Sequence, residues 1–199
     1  ISCGALTAEI TDLGATLVRL WVPDREGNRA DVVLGFDDPA DYIRSGTFFG
    51  ATVGRNANRV KNAAFSLSGK TVQMTPNDNI RNNLHSGPDF YKDRLWTVEK
   101  ATKNSLRLSL FSPHEDQGFP GNAQIHVTYT LDADSTLRIC YDAICDKDTV
   151  FNLTNHSYFN LAGHDRQELA MEQTLMMPAR HFTVCDPQTI PTGELRSVD

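Results

Sequence analysis

The sequence predicts an all-β fold, either a sandwich or a barrel, on three observations. Short segments in which apolar and polar residues alternate recur along the 199 residues, a pattern typical of strands with one buried face. Amphipathic helical periodicity is nearly absent, which argues against a βαβ fold. Hydrophobic residues form 40% of the chain and charged residues 22%, so the composition is that of a globular protein with a sizeable core. No internal repeat or linker is visible, and we expect a single domain over residues 1–199.

The clearest strands lie in the middle of the chain. Leu106, Leu108 and Leu110 alternate with polar residues, and residues 124–142 contain two alternating runs separated by a turn-like segment at 132–135. Two such runs around a short turn predict an antiparallel hairpin. Further strands are predicted at residues 16–22, 32–34, 64–67, 71–74, 96–101 and 149–154.

One short helix is predicted, at residues 38–42. Asp38 is a good N-cap residue, and Pro39 suits the first helical position because its fixed φ matches the helix and its missing N–H is not needed there. The segment is long enough for one or two turns only.

Composition excludes several classes of partner and location. The chain carries 19 Lys and Arg against 25 Asp and Glu and contains no basic block, so we expect no nucleic-acid partner. No apolar run approaches the roughly 18 residues of a membrane span, and the opening residues lack the pattern of a signal peptide. The four cysteines form no Cys-x-x-Cys pair, and they are too sparse in a domain of this length to suggest a disulfide framework, which favours reduced thiols in a cytoplasmic protein.

Common catalytic and cofactor motifs are also missing from the sequence. There is no His-x-His pair, no His-Glu-x-x-His, and no histidine or cysteine at zinc-ligand spacing. Glycine-rich phosphate loops and the Gly-x-Ser-x-Gly motif of many hydrolases are absent as well. We therefore expect no protein-bound catalytic metal ion.

Three long polar segments, at residues 54–59, 77–87 and 152–160, combine asparagine with arginine, histidine or aromatic residues. Amide and guanidinium groups offer fixed donor and acceptor geometry to a ligand with several hydroxyls, and aromatic rings offer an apolar face. Long loops in compact domains are often functional. These segments indicate a polyol or sugar site, although asparagine is also common in ordinary turns.

Two of the six histidines are candidates for proton transfer. His85 and His156 each lie near the end of a polar segment beside apolar residues, and imidazole exchanges protons near neutral pH. His126 falls on the polar side of a predicted strand and His114 in a turn-rich loop, so we expect both to face solvent. The remaining histidines, His164 and His181, are interpreted as structural or surface residues.

The chain resembles the aldose 1-epimerases, also called galactose mutarotases. The resemblance depends on short motifs whose order and spacing run through the whole chain. The six matching stretches lie at residues 14–17, 31–36, 54–60, 83–85, 117–122 and 152–161.

The resemblance implies a large antiparallel β-sandwich with a concave sugar site, no metal and no organic cofactor. It implies the interconversion of the α and β anomers of a free aldose such as galactose or glucose. A carboxylate would take the proton of the C1 hydroxyl while His156 protonates the ring oxygen. His85 would bond the sugar near its reacting end, Asn58 and Arg59 would hold hydroxyls, and Ser157 and Tyr158 would be further contacts.

Two departures from the family pattern affect this expectation. Ser86-Gly87 stands where the family usually has two glycines after the first histidine. The family's catalytic glutamate and a substrate-binding aspartate lie later in the sequence than this chain extends, so the sandwich is expected to be incomplete at its C-terminus and this fragment alone to lack its base. Glu168, Glu172 and Glu194 are not assigned that role.

Three alternative functions remain open at this point. A non-catalytic sugar-binding module could use the same scaffold, and a purely structural β-domain would not need the polar segments at all. An epimerase for a hexose phosphate would need basic residues clustered at one end of the site, and the sequence does not place Arg44, Arg55 or Lys92 relative to it. The oligomeric state is likewise left undetermined.

Overall fold

A computed structural model of the chain describes residues 1–166 and 170–198. Most of the regular structure in these residues is β-sheet, with one α-helix, α1 (Pro39–Arg44), and short 3₁₀ turns. The strands are β1 (Ser2–Cys3), β2 (Leu6–Thr11), β3 (Thr16–Pro23), β4 (Arg29–Asp31), β5 (Thr52–Val53), β6 (Arg59–Val60), β7 (Ala64–Leu67), β8 (Lys70–Gln73), β9 (Asn83–Leu84), β10 (Thr97–Ala101), β11 (Ser105–Ser112), β12 (Ala123–Leu131), β13 (Leu137–Cys145), β14 (Thr154–Asn155), β15 (His181–Cys185) and β16 (Pro191–Ser197). The 3₁₀ turns are Lys61–Ala63, Tyr91–Asp93, Asp116–Gly118 and Ala170–Glu172.

Two four-stranded antiparallel sheets form the main body. One has the strand order β1-β2-β3-β4 and the other β10-β11-β12-β13. Their inner faces share one core, in which Leu6 and Leu17 of the first sheet belong to the same cluster of buried side chains as Leu108 and Val127 of the second. The chain is therefore an all-β sandwich, and the predicted fold class is confirmed.

Strict alternation along β12 explains how the second sheet faces this core. Its inward side chains are fully buried, whereas those between them are only partly covered: the buried set is Ala123, Ile125, Val127, Tyr129 and Leu131. Because side chains of a strand point alternately to opposite faces, a period of two fixes which face packs. The predicted hairpin at residues 124–142 is formed by β12 and β13, paired from Ala123–Cys145 to Leu131–Leu137.

Small two-stranded pairs extend from the sandwich and carry the polar segments. Strand β5 pairs with β14, and β6 pairs with β9. Each of these pairs is only two residues long, so hydrogen bonds from neighbouring loops and side chains must complete their positioning. The pairs β7-β8 and β15-β16 form separate hairpins.

The strand predictions at residues 16–22, 64–67, 71–74 and 96–101 are confirmed to within a residue or so. Two others are wrong. At 32–34, Val32 and Val33 are buried as their apolar character suggests, but the Asp31 carboxylate accepts the backbone N–H groups of Leu20 and Val33. At 149–154 only Thr154 enters a strand. In place of a partner strand, the first segment has the Asp31 carboxylate and an isolated bridge between Val33 and Phe159. The second segment has an isolated bridge between Asn152 and Asn56.

The predicted helix is confirmed as α1. The Asp38 carboxylate accepts the backbone N–H of Ala40 at 2.9 Å, and Pro39 occupies the first turn. Within the described residues, no helix has the length and apolar character required to cross a membrane.

Candidate functional site

The first part of the site is the corner where β6 and β9 pair. Asn58 and His85 adjoin the ends of these strands and both have positive φ, at 67° and 54°. The His85 N–H donates to the Asn58 carbonyl at 3.0 Å, and the Asn58 N–H donates to Nδ1 of His85 at 3.0 Å. This reciprocal pair fixes the His85 ring against the backbone of the other polar segment.

The contact with Asn58 also determines the protonation of His85. A backbone N–H can only donate, so Nδ1 must be unprotonated, and the neutral ring carries its proton on Nε2. Burial, the neighbouring His156 and the charge of Arg59 together lower the pKa of His85 to about 4. At neutral pH, His85 therefore presents an uncharged N–H donor.

The second histidine comes from the opposite polar segment. After β14 pairs with β5, the His156 N–H donates to the Ala51 carbonyl at 2.9 Å, and the Gly50 N–H donates to the His156 carbonyl at 3.2 Å. The two imidazole rings meet edge to face, with centroids 5.3 Å apart. The structure thus brings together the two histidines singled out from the sequence.

Aromatic rings surround this pair. The Phe48 ring lies 4.8 Å from His85 and 5.7 Å from His156, measured between centroids. Tyr158 lies 5.3 Å from His156, and Phe90 packs edge to face on Phe48. Sequence reasoning missed Phe48 and Phe90, although the adjacent Phe48-Phe49 pair, separated by four residues from the polar segment at 54–59, was a usable signal.

Arg59 is the first residue of β6, and it pairs with Leu84, the residue before His85. Its Nε donates to the carboxylate of Asp78 at 2.9 Å, and the two side chains are about a quarter and a sixth exposed, at 24% and 16%. The carboxylate holds the guanidinium in one orientation, since a partly buried ion pair is less screened than a surface pair. Asp78 was not recognised from the sequence.

The two residues after His156 differ in their surroundings. Tyr158 is half exposed and contacts both His156 and Phe49. The hydroxyl of Ser157 is buried and has no hydrogen-bond partner among residues 1–166 and 170–198. Unlike the half-exposed Tyr158 side chain, the Ser157 hydroxyl therefore does not reach the exposed surface.

Arg55 shares a polar segment with Arg59 but has a different environment. Its side chain is fully buried, and its two terminal nitrogens donate to carbonyls of residues 112, 113, 120 and 121 and to the hydroxyls of Ser112 and Thr149. The guanidinium also faces the rings of Phe119 and Phe151. Arg55 therefore joins three distant loops inside the protein.

Two clefts of the described surface lie away from the histidine pair. A cleft of about 870 Å³ is lined by residues around β7, β8 and His114, and one of about 470 Å³ lies between β2, β3 and α1. None of the six predicted site residues lines either cleft. The histidine pair is the candidate site, because its contacts bring together groups that can move protons and contact a sugar ring.

The chain is similar to known proteins over nearly its whole length. The family model for aldose 1-epimerase matches residues 1–199. Galactose mutarotase of Bos taurus is 40% identical over 97% of this chain and 55% of its own length, and aldose 1-epimerase of Haemophilus influenzae is 38% identical over 97% and 56%. The chain thus spans about half the length of these relatives.

Solved structures show the same likeness. The crystal structure of an aldose epimerase homologue from C. elegans superimposes with a TM-score of 0.87 at 39% identity, covering 97% of this chain and 58% of that one. Galactose 1-epimerase from Lactobacillus acidophilus gives 0.84 at 28% identity, covering 100% and 57%. On the match of the family model to its whole length, this chain belongs to the aldose 1-epimerase family.

Proposed function

We propose that the protein interconverts the α and β anomers of a free hexose such as galactose or glucose, and that this chain supplies the general acid and much of the sugar-binding surface. The observation that carries the proposal is the histidine pair: two imidazoles in contact, one of them held neutral by a backbone donor. General acid–base help of this kind is typically worth about 10²–10⁴-fold in rate.

In this mechanism a carboxylate takes the proton of the C1 hydroxyl, and His156 gives its proton to the ring oxygen. The C1–O5 bond breaks, C1 becomes an aldehyde, and the C1–C2 bond rotates. Closure reverses both proton transfers on the other face of the carbonyl, so the acid and the base return to their starting states. Neutral His85 donates from Nε2 to an oxygen near the reacting end of the sugar.

The surrounding rings and Arg59 suit a hexose. Phe48 and Tyr158 provide apolar faces for the C–H groups of the sugar, as is usual in sites that combine aromatic rings with a few polar groups. Arg59 and Asn58 provide donors for hydroxyls. Because Asp78 already holds Nε of Arg59, the terminal nitrogens of that guanidinium are the groups proposed to bind the sugar.

The base is proposed to be a carboxylate outside the described residues. In the described chain, no carboxylate forms an ion pair with His85 or His156, whereas His126 has two such partners. Glu172 and Glu194 are exposed, and Glu194 pairs with Arg196. Glu168 lies outside the described residues.

An unphosphorylated substrate is favoured by the surroundings of the basic residues. Arg55 is buried among carbonyls, and Arg44 is exposed on α1 beside Asp41. Lys92 is buried, with its ammonium bound to Asp93 and close to the Phe48 ring. Lys92 therefore has its charge offset by a carboxylate, and these three residues form no basic cluster for a phosphate.

Polarimetry on freshly dissolved α-galactose tests the proposal, with this chain and with the complete product of its gene measured side by side. We expect the complete product to accelerate mutarotation of galactose and to leave galactose 6-phosphate at its uncatalysed rate. Saturable galactose binding by calorimetry without acceleration would instead indicate a binding module. Activity of the 199-residue chain alone would place the base within it.

A further inference from the structure

The side chain of Asn155 lies between the two segments that carry the aromatic rings of the site. Its Nδ2 group donates to the Gly50 carbonyl at 2.7 Å and to the Tyr129 hydroxyl at 3.3 Å. Its Oδ1 atom accepts the Ser157 N–H at 3.0 Å. A carbonyl can only accept and a backbone N–H can only donate, so these partners fix the orientation of the amide. All of its donors and its acceptor oxygen are engaged.

The Tyr129 hydroxyl connects this amide to the sandwich core. It donates to the Ala15 carbonyl at 2.7 Å, which leaves its oxygen to accept from Asn155. The ring is fully buried on the inner face of β12, and burial raises the pKa of Tyr129 far above its usual value. The hydroxyl therefore keeps its proton, and the connection between core and site does not titrate.

These hydrogen bonds hold the backbone on both sides of the site. Gly50 follows closely after Phe48, and its N–H donates to the His156 carbonyl. Gly50 has a φ of +66°, and a Cβ at this position would lie 1.9 Å from the Leu17 carbonyl oxygen, so the segment is packed directly on β3. The Asn155 amide therefore adds a side-chain contact between the segment of Phe48 and the segment of His156, beside the backbone hydrogen bonds that already join them.

We propose that Asn155 and Tyr129 are positioning residues, which act through His156 and Phe48 without touching the substrate. This inference rests on the proposed function, because it assigns roles within the same site. If Asn155 only formed a turn, its bond to Ser157 would suffice and Tyr129 would have no part. A positioning role uses the whole series of hydrogen bonds from the core, and a displacement of about 1 Å can cost about a hundredfold in rate.

The test compares Tyr129→Phe with Tyr141→Phe in the complete gene product. Tyr141 lies on the neighbouring strand β13, and its buried hydroxyl takes no part in this series of hydrogen bonds. We expect Tyr129→Phe to lower kcat for galactose mutarotation about tenfold and to change KM less than about twofold. Tyr141→Phe should leave both constants within about twofold. Equal kcat values in the two variants would overturn the inference.

A second measurement distinguishes failure of this inference from failure of the proposed function. The ring C–H NMR signals of His156, assigned by their loss in His156→Gln, should shift in Tyr129→Phe and stay unchanged in Tyr141→Phe. This readout requires no catalysis, so it decides the positioning role even if the wild-type protein is inactive. Unmoved His156 signals in Tyr129→Phe would reject it. If that variant does not fold, Asn155→Asp replaces it, because a carboxylate cannot donate to Gly50.

Discussion

The surroundings of Arg55 and those of His85 are built from the same kind of polar segment, but their hydrogen-bonding groups are used differently. Both terminal nitrogens of Arg55 donate to carbonyls and hydroxyls of the protein, and the side chain is fully buried. At His85, one ring nitrogen accepts from Asn58, while the Nε2 proton has no partner among the described residues.

This difference separates a structural polar group from groups proposed to bind the sugar. A buried donor that is paired within the protein stabilises the fold, because an unpaired buried donor would cost free energy. A donor that is held in place but left unpaired can bind a ligand. Arg55 is fully buried with both terminal nitrogens paired, whereas the Arg59 side chain is about a quarter exposed, at 24%. The following predictions test that distinction.

The largest effect is expected from Arg55→Leu. The change leaves several buried carbonyls without donors and removes the contact between three loops, so the free energy of unfolding should fall by about 3 kcal/mol or more. Urea denaturation measures it. Arg25→Leu is the matched control, because Arg25 is exposed and should change stability by less than about 0.5 kcal/mol. Equal losses in the two variants would contradict the structural role of Arg55.

His156→Gln should act on turnover rather than on stability. Removing the proposed acid is expected to lower kcat about 10²–10⁴-fold, with little change in the urea midpoint, because the backbone of residue 156 makes the contacts to Gly50 and Ala51. Polarimetry with galactose measures the rate. His181→Gln serves as the control, since His181 is exposed on β15; an unchanged kcat in His156→Gln would remove the acid role.

Arg59→Ala should mainly weaken sugar binding. Loss of charged hydrogen-bond donors is expected to raise KM about tenfold, with a smaller change in kcat. Asp78→Ala should give a weaker effect in the same direction, because it frees the guanidinium without removing it. Initial rates over a range of galactose concentrations give both constants, and Arg180→Ala, at an exposed position, should leave KM unchanged. A rise in KM that is equal in Arg59→Ala and Arg180→Ala would argue against the binding role.

The last effect concerns the pH dependence of the free energy of unfolding. The pKa of His85 falls from 6.5 to about 4 on folding, so the unfolded chain binds more protons between these values. Stability should therefore decrease as pH falls from about 6.5 to about 4. His85→Gln removes this contribution, and its unfolding free energy should decline less steeply over the same range. Identical pH profiles in urea denaturation would show that His85 does not titrate this way.

The strands were the more predictable part of the fold. The alternation of Ile125, Val127 and Tyr129 identifies the hairpin because a strand with one buried face must repeat every two residues. The same reasoning fails at Val32 and Val33, which are adjacent and both buried. There the Asp31 carboxylate accepts backbone N–H groups that a partner strand would otherwise bind. A side chain that replaces a partner strand in this way leaves no periodic pattern in the sequence.

The site was predicted in part. The composition of the polar segments pointed to His85 and His156, and the structure joins them. Phe48, Phe90 and Asp78 were missed, because their roles depend on which segments meet in space. Nor do the neighbouring residue types separate Arg55 from Arg59: each lies directly beside an asparagine of the same segment, and only the folded environment shows which guanidinium is buried.

The hydrogen bonds that assemble the histidine pair also have an order in folding. The Asn58–His85 bond spans 27 positions of the chain, whereas the bond from Asn155 to Gly50 spans 105. Loop closure costs more entropy as the loop lengthens, and contacts distant in sequence slow folding. We therefore expect the corner at His85 to form before His156 arrives, so that enzymatic activity returns later in refolding than the β-sheet signal in circular dichroism.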